Sequence, residues 1–383
     1  MLDITKLLSL MVEHGASDLY ITVDSPPMYR IEGVVRPAGN KMLTESDTAE
    51  LAYSIMDDRQ RAEFDETHEL NHGIFYPTFG RFRVNVFRQR GSIGIVIRQI
   101  QSQIPTIDEL DLPSTLKDVS MTKRGLVLVV GATGSGKSTS LASMINHRNE
   151  NTAGHIITIE DPIEFVHEHK KCIVSQREVG IDTDSFGTAL KNTLRQAPDV
   201  ILIGEIRDKE TMEAAITFAE TGHLCLATLH SNNANQTMER IINFFPHEQH
   251  HQIYLQLSLN LRAILSQRLV KTATGKRVAA VEILLDSPYA KDLIHKGEIA
   301  NLKEAMEKGE TIGMQTFDQH LFQLYMDKKI SMDEALQNAD SANNLRLKIK
   351  LTEEGGFQKA DPSLKKKKKE RSKDGDDLQL QMD

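Results

Sequence analysis

Leu126-Val-Leu-Val-Val-Gly-Ala-Thr-Gly-Ser-Gly-Lys-Ser138 carries an apolar strand into a glycine-rich turn that ends on a lysine and a hydroxyl. Gly131, Gly134 and Gly136 let the backbone turn tightly and aim successive N–H groups at phosphate oxygens, where a helix N-terminus adds its positive dipole end. The segment reads as a phosphate-binding loop, with Gly131, Ala132, Thr133, Gly134, Ser135, Gly136, Lys137, Ser138 and Thr139 holding a nucleotide. Lys137 is expected on the β/γ-phosphates and the Ser138 hydroxyl on Mg²⁺. A structural strand-to-helix turn requires neither of these side chains.

The chain around this loop has 383 residues, enough for two or three domains with a real core. Its formal net charge of −8 argues against a motor that grips nucleic acid. No apolar run approaches the ~20 residues that cross a bilayer, and Met1-Leu-Asp-Ile lacks a signal pattern, so a cytoplasmic protein is expected. The two cysteines, Cys172 and Cys225, are too few for a disulfide framework or a four-cysteine zinc site and read as small packed residues.

Upstream of the loop, Leu2, Ile4, Leu7, Leu8 and Met11 recur at helical spacing. Alternating strands follow at 19–23, 28–32, 82–87 and 93–97, with helical patterns over Glu45–Met56 and Arg59–Phe64 between them. Residues 1–100 are therefore expected to form an α+β domain and 101–122 a linker marked by Pro105 and Pro113. Strands at 126–130, 156–159, 200–203 and 224–228 are nearly continuous in apolar residues, as in a parallel sheet covered on both faces. Together they predict an α/β P-loop NTPase domain over 123–350, with Ile253–Leu269 as a long helix and more helices beyond. Residues 351–383, with Lys365 to Lys369 in a row, read as a disordered charged tail.

Hydrolysis of a phosphoanhydride needs a group that positions water and a group that completes the metal site. Ile156–Ile159 leads into Glu160-Asp-Pro-Ile-Glu164, and Asp199–Gly204 leads into Glu205-Ile-Arg207, so two apolar strands each deliver acids where open α/β sheets bind ligands. Thr221-Gly-His223 and the strand ending at His230 add two histidines, and a neutral imidazole can sense a γ-phosphate.

This set, in this order, resembles the type IV pilus retraction ATPases of the PilT/PilU family within the secretion-type ATPases. The likeness is carried by Gly131–Thr139, Ile159–Phe165, Arg195–Arg207 and Thr221–Ser231, and by Gly15–Leu19 and Arg81-Phe-Arg-Val-Asn85. The resemblance implies a PAS-like N-terminal domain, a RecA-like ATPase domain and a homo-hexameric ring with ATP between domains. It implies Glu164 as the catalytic glutamate, Glu205 as the Walker B acid supporting Mg²⁺, His230 as the γ-phosphate sensor and His223 as a second histidine-box residue. Spacing does not choose between the two glutamates as the base. Arg81, Arg83 and Arg98 are arginine-finger candidates that stabilise charge on the transferred phosphoryl. The implied setting is the cytoplasmic face of the inner membrane, with peripheral membrane association, a pilus platform protein and a partner retraction ATPase as partners, and no nucleic acid.

Retraction motors of this family carry an Ala-Ile-Arg-Asn-Leu-Ile motif, which here reads Tyr289-Ala-Lys-Asp-Leu-Ile294. Lys291 lacks the planar fork of arginine, and with the lysine-rich tail this points to the accessory branch of the family. An alternative function is therefore a nucleotide-gated subunit that reinforces a partner ring without its own hydrolysis. His247-Glu-Gln-His-His251 matches a zinc-protease pattern, yet no third ligand accompanies it and zinc chemistry is not expected.

Overall fold

The computed structural model describes residues 3–100 and 103–353; the lysine-rich tail lies outside the described residues. Helix α1 (Ile4–Glu13) starts where the Asp3 carboxylate accepts from the Thr5 N–H, and it buries Ile4, Leu7, Leu8 and Met11. Next come β1 (Asp18–Ile21), β2 (Met28–Ile31), β3 (Val34–Pro37), α2 (Glu45–Ser54), α3 (Asp58–Thr67), β4 (Glu69–Tyr76), β5 (Gly80–Gln89) and β6 (Ser92–Ile100). Both helices open on capping boxes, Thr44 with Asp47 and Asp57 with Gln60. The six strands form an antiparallel sheet in the order β3-β2-β1-β6-β5-β4.

Strand β5 shows why this sheet has two chemical faces. Phe82, Val84 and Val86 point into the core with Leu8, Met11 and Phe64, while Arg81 and Arg83 alternate to the other side. Arg83 stands opposite Arg98, and Arg98 opposite Asp18.

After α4 (Thr115–Ser120), the chain builds β7 (Gly125–Val130), α5 (Lys137–Asn151), β8 (Gly154–Glu160), β9 (Cys172–Glu178), α6 (Phe186–Thr193), β10 (Val200–Ile203), α7 (Lys209–Glu220), β11 (Leu224–Leu229), α8 (Ala234–Asn243), α9 (His250–Asn260), β12 (Leu261–Lys271) and β13 (Arg277–Leu285). The sheet order is β13-β12-β7-β11-β10-β8-β9, and the strands from β12 to β9 in that order run parallel. Every residue of β7, β10 and β11 is buried, so helices cover both faces. Helices α10 (Pro288–Lys296) and α11 (Leu302–Lys308) follow.

The described residues divide into two units, the first holding those from 3 to 269 with 281–316 and the second 270–280 with 317–353. The second packs α12 (Phe317–Met326), α13 (Met332–Asn338) and α14 (Ala342–Glu353) around Phe317, Leu321, Leu324, Leu345 and Ile349, with Val270 and Val278.

The expected helix over Ile253–Leu269 is corrected: α9 stops at Asn260 and the chain continues as β12 beside β7. Leu261, Ala263, Ile264 and Leu265 are all buried, and a strand covered on both faces has no period-two signature to separate it from a buried helix. The same applies to β13, where Val278 to Leu284 are all buried. Strands β3, β4 and β9 are additions to the expected set. The His247–His251 segment is not one helix, because His247–Gln249 forms a 3-10 turn before α9. Its rings pair separately, His247 with His250 at 5.1 Å and His251 with His295 at 6.1 Å.

Leu128 is fully buried in β7 and Leu255 is 39% exposed on α9. Leu128→Ala should cost about 2–5 kcal/mol and Leu255→Ala about 0.5 kcal/mol or less, read from denaturant midpoints at unchanged slope.

Candidate functional site

The loop after β7 depends on glycine where the chain crowds. A Cβ on Gly131, at φ +155°, would lie 2.4 Å from Ser135 Oγ and 2.5 Å from the Gln267 carbonyl. A Cβ on Gly136, at φ +87°, would meet the Gln267 amide nitrogen at 2.7 Å. Gln267 itself donates to the Ser135 carbonyl at 2.8 Å and accepts from Ser140 Oγ at 2.7 Å, so β12 buttresses the loop from below. Sequence reasoning missed Gln267, because its strand had been read as helix.

The loop presents donors. Helix α5 begins at Lys137 with no side chain capping its first turn. Lys137 Nζ donates to the carbonyls of Gly131 at 2.9 Å and Ala132 at 3.0 Å, a neutral pair of acceptors for a buried ammonium. Burial lowers its pKa, against the pull of Glu205 and Glu164. Ser135 Oγ is buried without a hydrogen-bond partner. A buried cation, free helix N–H groups and an orphaned hydroxyl together fit a polyphosphate.

Parallel register brings the remaining groups to the same edge of the sheet. Ile159 pairs with Ile203, Ile203 with Ala227 and Leu229 with Val130, so Glu160, Glu205, His230 and Gly131 leave the sheet side by side. Both oxygens of Glu205 are engaged: Oε1 lies 3.0 Å from His230 Nε2, and Oε2 accepts from Arg207 Nε at 2.6 Å. Arg207 continues to Asp161 at 3.2 Å, tying the ends of β8, β10 and β11 together. The Glu164 side chain is exposed and makes no hydrogen bond among the described residues. Two carboxylates near one lysine thus have different environments.

A third carboxyl is that of Glu160, the acid that ends β8, to which the sequence pattern gave no role of its own. Glu160 accepts from Thr158 Oγ1 at 2.6 Å and Gln176 Nε2 at 3.2 Å, and burial pushes its pKa up to about 7.

The other candidates divide. His223 stands at the far end of β11, where its carbonyl accepts from Gly125 N at 2.9 Å and its ring lies 3.0 Å from Thr221 Oγ1. The six residues of β11 separate it from His230 by roughly 20 Å, so within the chain His223 does not join the loop. Arg81 lies 3.9 Å from Glu178, at the end of β9, and Arg98 donates to Asp18 at 2.7 Å. Arg83 makes no hydrogen bond or ion pair among the described residues, although it lowers the pKa that burial raises on Glu178.

The folded-state pKa of Glu160 lies above the ordinary 4.5, so its neutral form is favoured by folding and stability falls as pH rises from about 4.5 through about 7. Glu160→Gln, which cannot ionise, should flatten that fall, measured as denaturation midpoints at pH 5 and pH 8.

The family described as Type II/IV secretion system protein matches residues 2–356. The type IV pilus ATPase PilU of Pseudomonas aeruginosa is 57% identical over 354 residues, 92% of this chain and 93% of the relative. The type IV pilus retractation ATPase PilT of the same organism is 44% identical over 343 residues, 90% of this chain and 100% of the relative. A crystal structure of the pilus retraction motor PilT with bound ADP matches with a TM-score of 0.85 at 41% identity, over 91% of this chain and 100% of that one. The fold is accordingly α/β, with an N-terminal domain and a RecA-like ATPase domain. With the phosphate loop, the two acid-bearing strand ends and these likenesses in agreement, the chain belongs to the type II/IV secretion ATPase family, in the branch of the type IV pilus ATPases PilT and PilU.

Proposed function

We propose that this chain is a Mg²⁺-dependent ATPase that works as a homo-hexameric ring in type IV pilus retraction and twitching motility. The observation that carries the reading is the meeting of Lys137, Glu205, His230 and the Glu164 loop at one edge of a parallel sheet, in a chain 57% identical to PilU.

Binding of ATP exchanges the two carbonyls on Lys137 Nζ for phosphate oxygens, which match its charge far better. Ser138 and Glu205 are the residues that would hold Mg²⁺, which when bound neutralises charge developing on the β- and γ-phosphates. Each Glu205 oxygen has one neighbour, His230 or Arg207, and a remaining lone pair that would be open to Mg²⁺. The exposed Glu164 carboxylate makes no hydrogen bond among the described residues, and this difference in environment supports the reading of Glu164 as the base. His230, once turned from Glu205, reads the γ-phosphate and registers its loss.

Arg83 is the first choice for an arginine supplied across a domain or subunit boundary, because Arg81 and Arg98 already face Glu178 and Asp18. Residues 1–100 and 123–350 would then rotate against one another through 101–122 as interfaces close and open. The ring would act at the cytoplasmic face of the inner membrane on a pilus platform protein. No described helix is long and apolar enough to cross a membrane.

A second reading has its own support. Lys291, where retraction motors of the family carry arginine, is spent on an ion pair with Asp286 at 2.9 Å, and identity to PilU exceeds identity to PilT by 57% to 44%. Both features favour an accessory subunit that reinforces a partner retraction ATPase.

Lys137→Ala should abolish ATP turnover, at least about 10²-fold, together with nucleotide binding. Twitching measured in cells that carry a competent partner motor separates the two readings: loss of movement with a hydrolysis-dead Glu164→Ala chain supports the motor, and retained movement supports the accessory subunit.

A further inference from the structure

We propose that Gln176 is a positioning residue for Glu164, holding the backbone that follows this carboxylate at Phe165 and His167. The proposal rests on the reading of Glu164 as the group that activates water. Gln176 stands on β9, beside Thr158 of β8. Its Oε1 accepts from the His167 N–H at 2.7 Å, while its Nε2 donates to the Phe165 carbonyl at 2.9 Å and to Glu160 Oε1 at 3.2 Å. Two residues further along the same strand face, Glu178 Oε2 accepts from the Ile163 N–H at 3.3 Å.

Alternate loop residues, Ile163, Phe165 and His167, therefore hang from alternate residues of β9. Glu164 sits between two of these anchors. Its own side chain makes no hydrogen bond among the described residues, so its position is inherited from its backbone. A displacement of about 1 Å at a reacting group costs on the order of 10²-fold in rate, which gives the clip a catalytic consequence without any contact to substrate. Glutamine suits the task because one planar amide both donates and accepts. It also caps Glu160, whose carboxyl shares Nε2 with the loop carbonyl.

The test measures steady-state ATP turnover and ATP binding on the full-length chain. Gln176→Ala should lower kcat by about 10- to 100-fold and leave ATP affinity within about 3-fold of wild type. The near-isosteric Gln176→Glu guards against a folding defect. It keeps the acceptor for His167, loses the donor for Phe165 and sets a second carboxylate against Glu160, so its kcat should fall as far and recover in part as pH is lowered. In a Glu164→Gln background, Gln176→Ala should have no further effect on residual turnover.

Wild-type kcat in Gln176→Ala, beside an inactive Glu164→Gln, overturns the proposal alone. A full additional loss in the Glu164→Gln background, or collapse of ATP binding in both Gln176 variants, also overturns it by making the residue merely structural. Wild-type turnover by Glu164→Gln removes the reading of Glu164 and this proposal with it.

Discussion

The structure depends on the parallel, in-register hydrogen bonding of β8, β10, β11 and β7. Parallel strands place all their C-terminal ends on one edge, so a phosphate loop, two acidic turns and a histidine converge although about a hundred residues separate the first from the last. The side chains of these strands are buried on both faces and hold the edge rigid, while the loops above it carry the polar groups. A slip of one residue in any of the four strands would turn its acid or histidine away from Lys137.

On that edge, charge is distributed unevenly, and the unevenness supplies the chemistry. Glu205 is tied between His230 and Arg207, burial raises the pKa of Glu160 to about 7, and the Glu164 side chain is exposed with no hydrogen bond among the described residues. Three carboxyls within one site thus have three different environments. The Asp161–Arg207–Glu205–His230 chain joins three strand ends, so a nucleotide that engages Glu205 meets a connected set of polar contacts rather than one.

Much of this was legible in the chain. The phosphate loop, the acids at 164 and 205 and the strand ending at His230 could be read because short apolar runs point to fixed polar residues. The strands of the antiparallel sheet were readable from alternation wherever one face met water, as at Arg81-Phe-Arg83. What escaped had a physical reason. Leu261, Ala263, Ile264 and Leu265 are buried whichever face they are on, so β12 looked helical, and with it Gln267 was lost as the buttress of the loop. Gln176 and Arg207 act through hydrogen bonds to distant backbone and side chains, which leave no periodicity in sequence. His223 was grouped with His230 by a shared motif, although a strand of six residues sends the two to opposite ends.

The central claim is that one edge of the sheet holds a base and a separate metal-supporting acid. Titrating Mg²⁺ against ATP turnover for Glu164→Gln and Glu205→Gln tests it directly. The account predicts that Glu205→Gln needs more Mg²⁺ to reach its maximal rate, whereas Glu164→Gln binds Mg²⁺-ATP normally and stays inactive at every concentration. Restoration of Glu164→Gln by Mg²⁺, or the same Mg²⁺ dependence in Glu205→Gln as in the wild type, would contradict it.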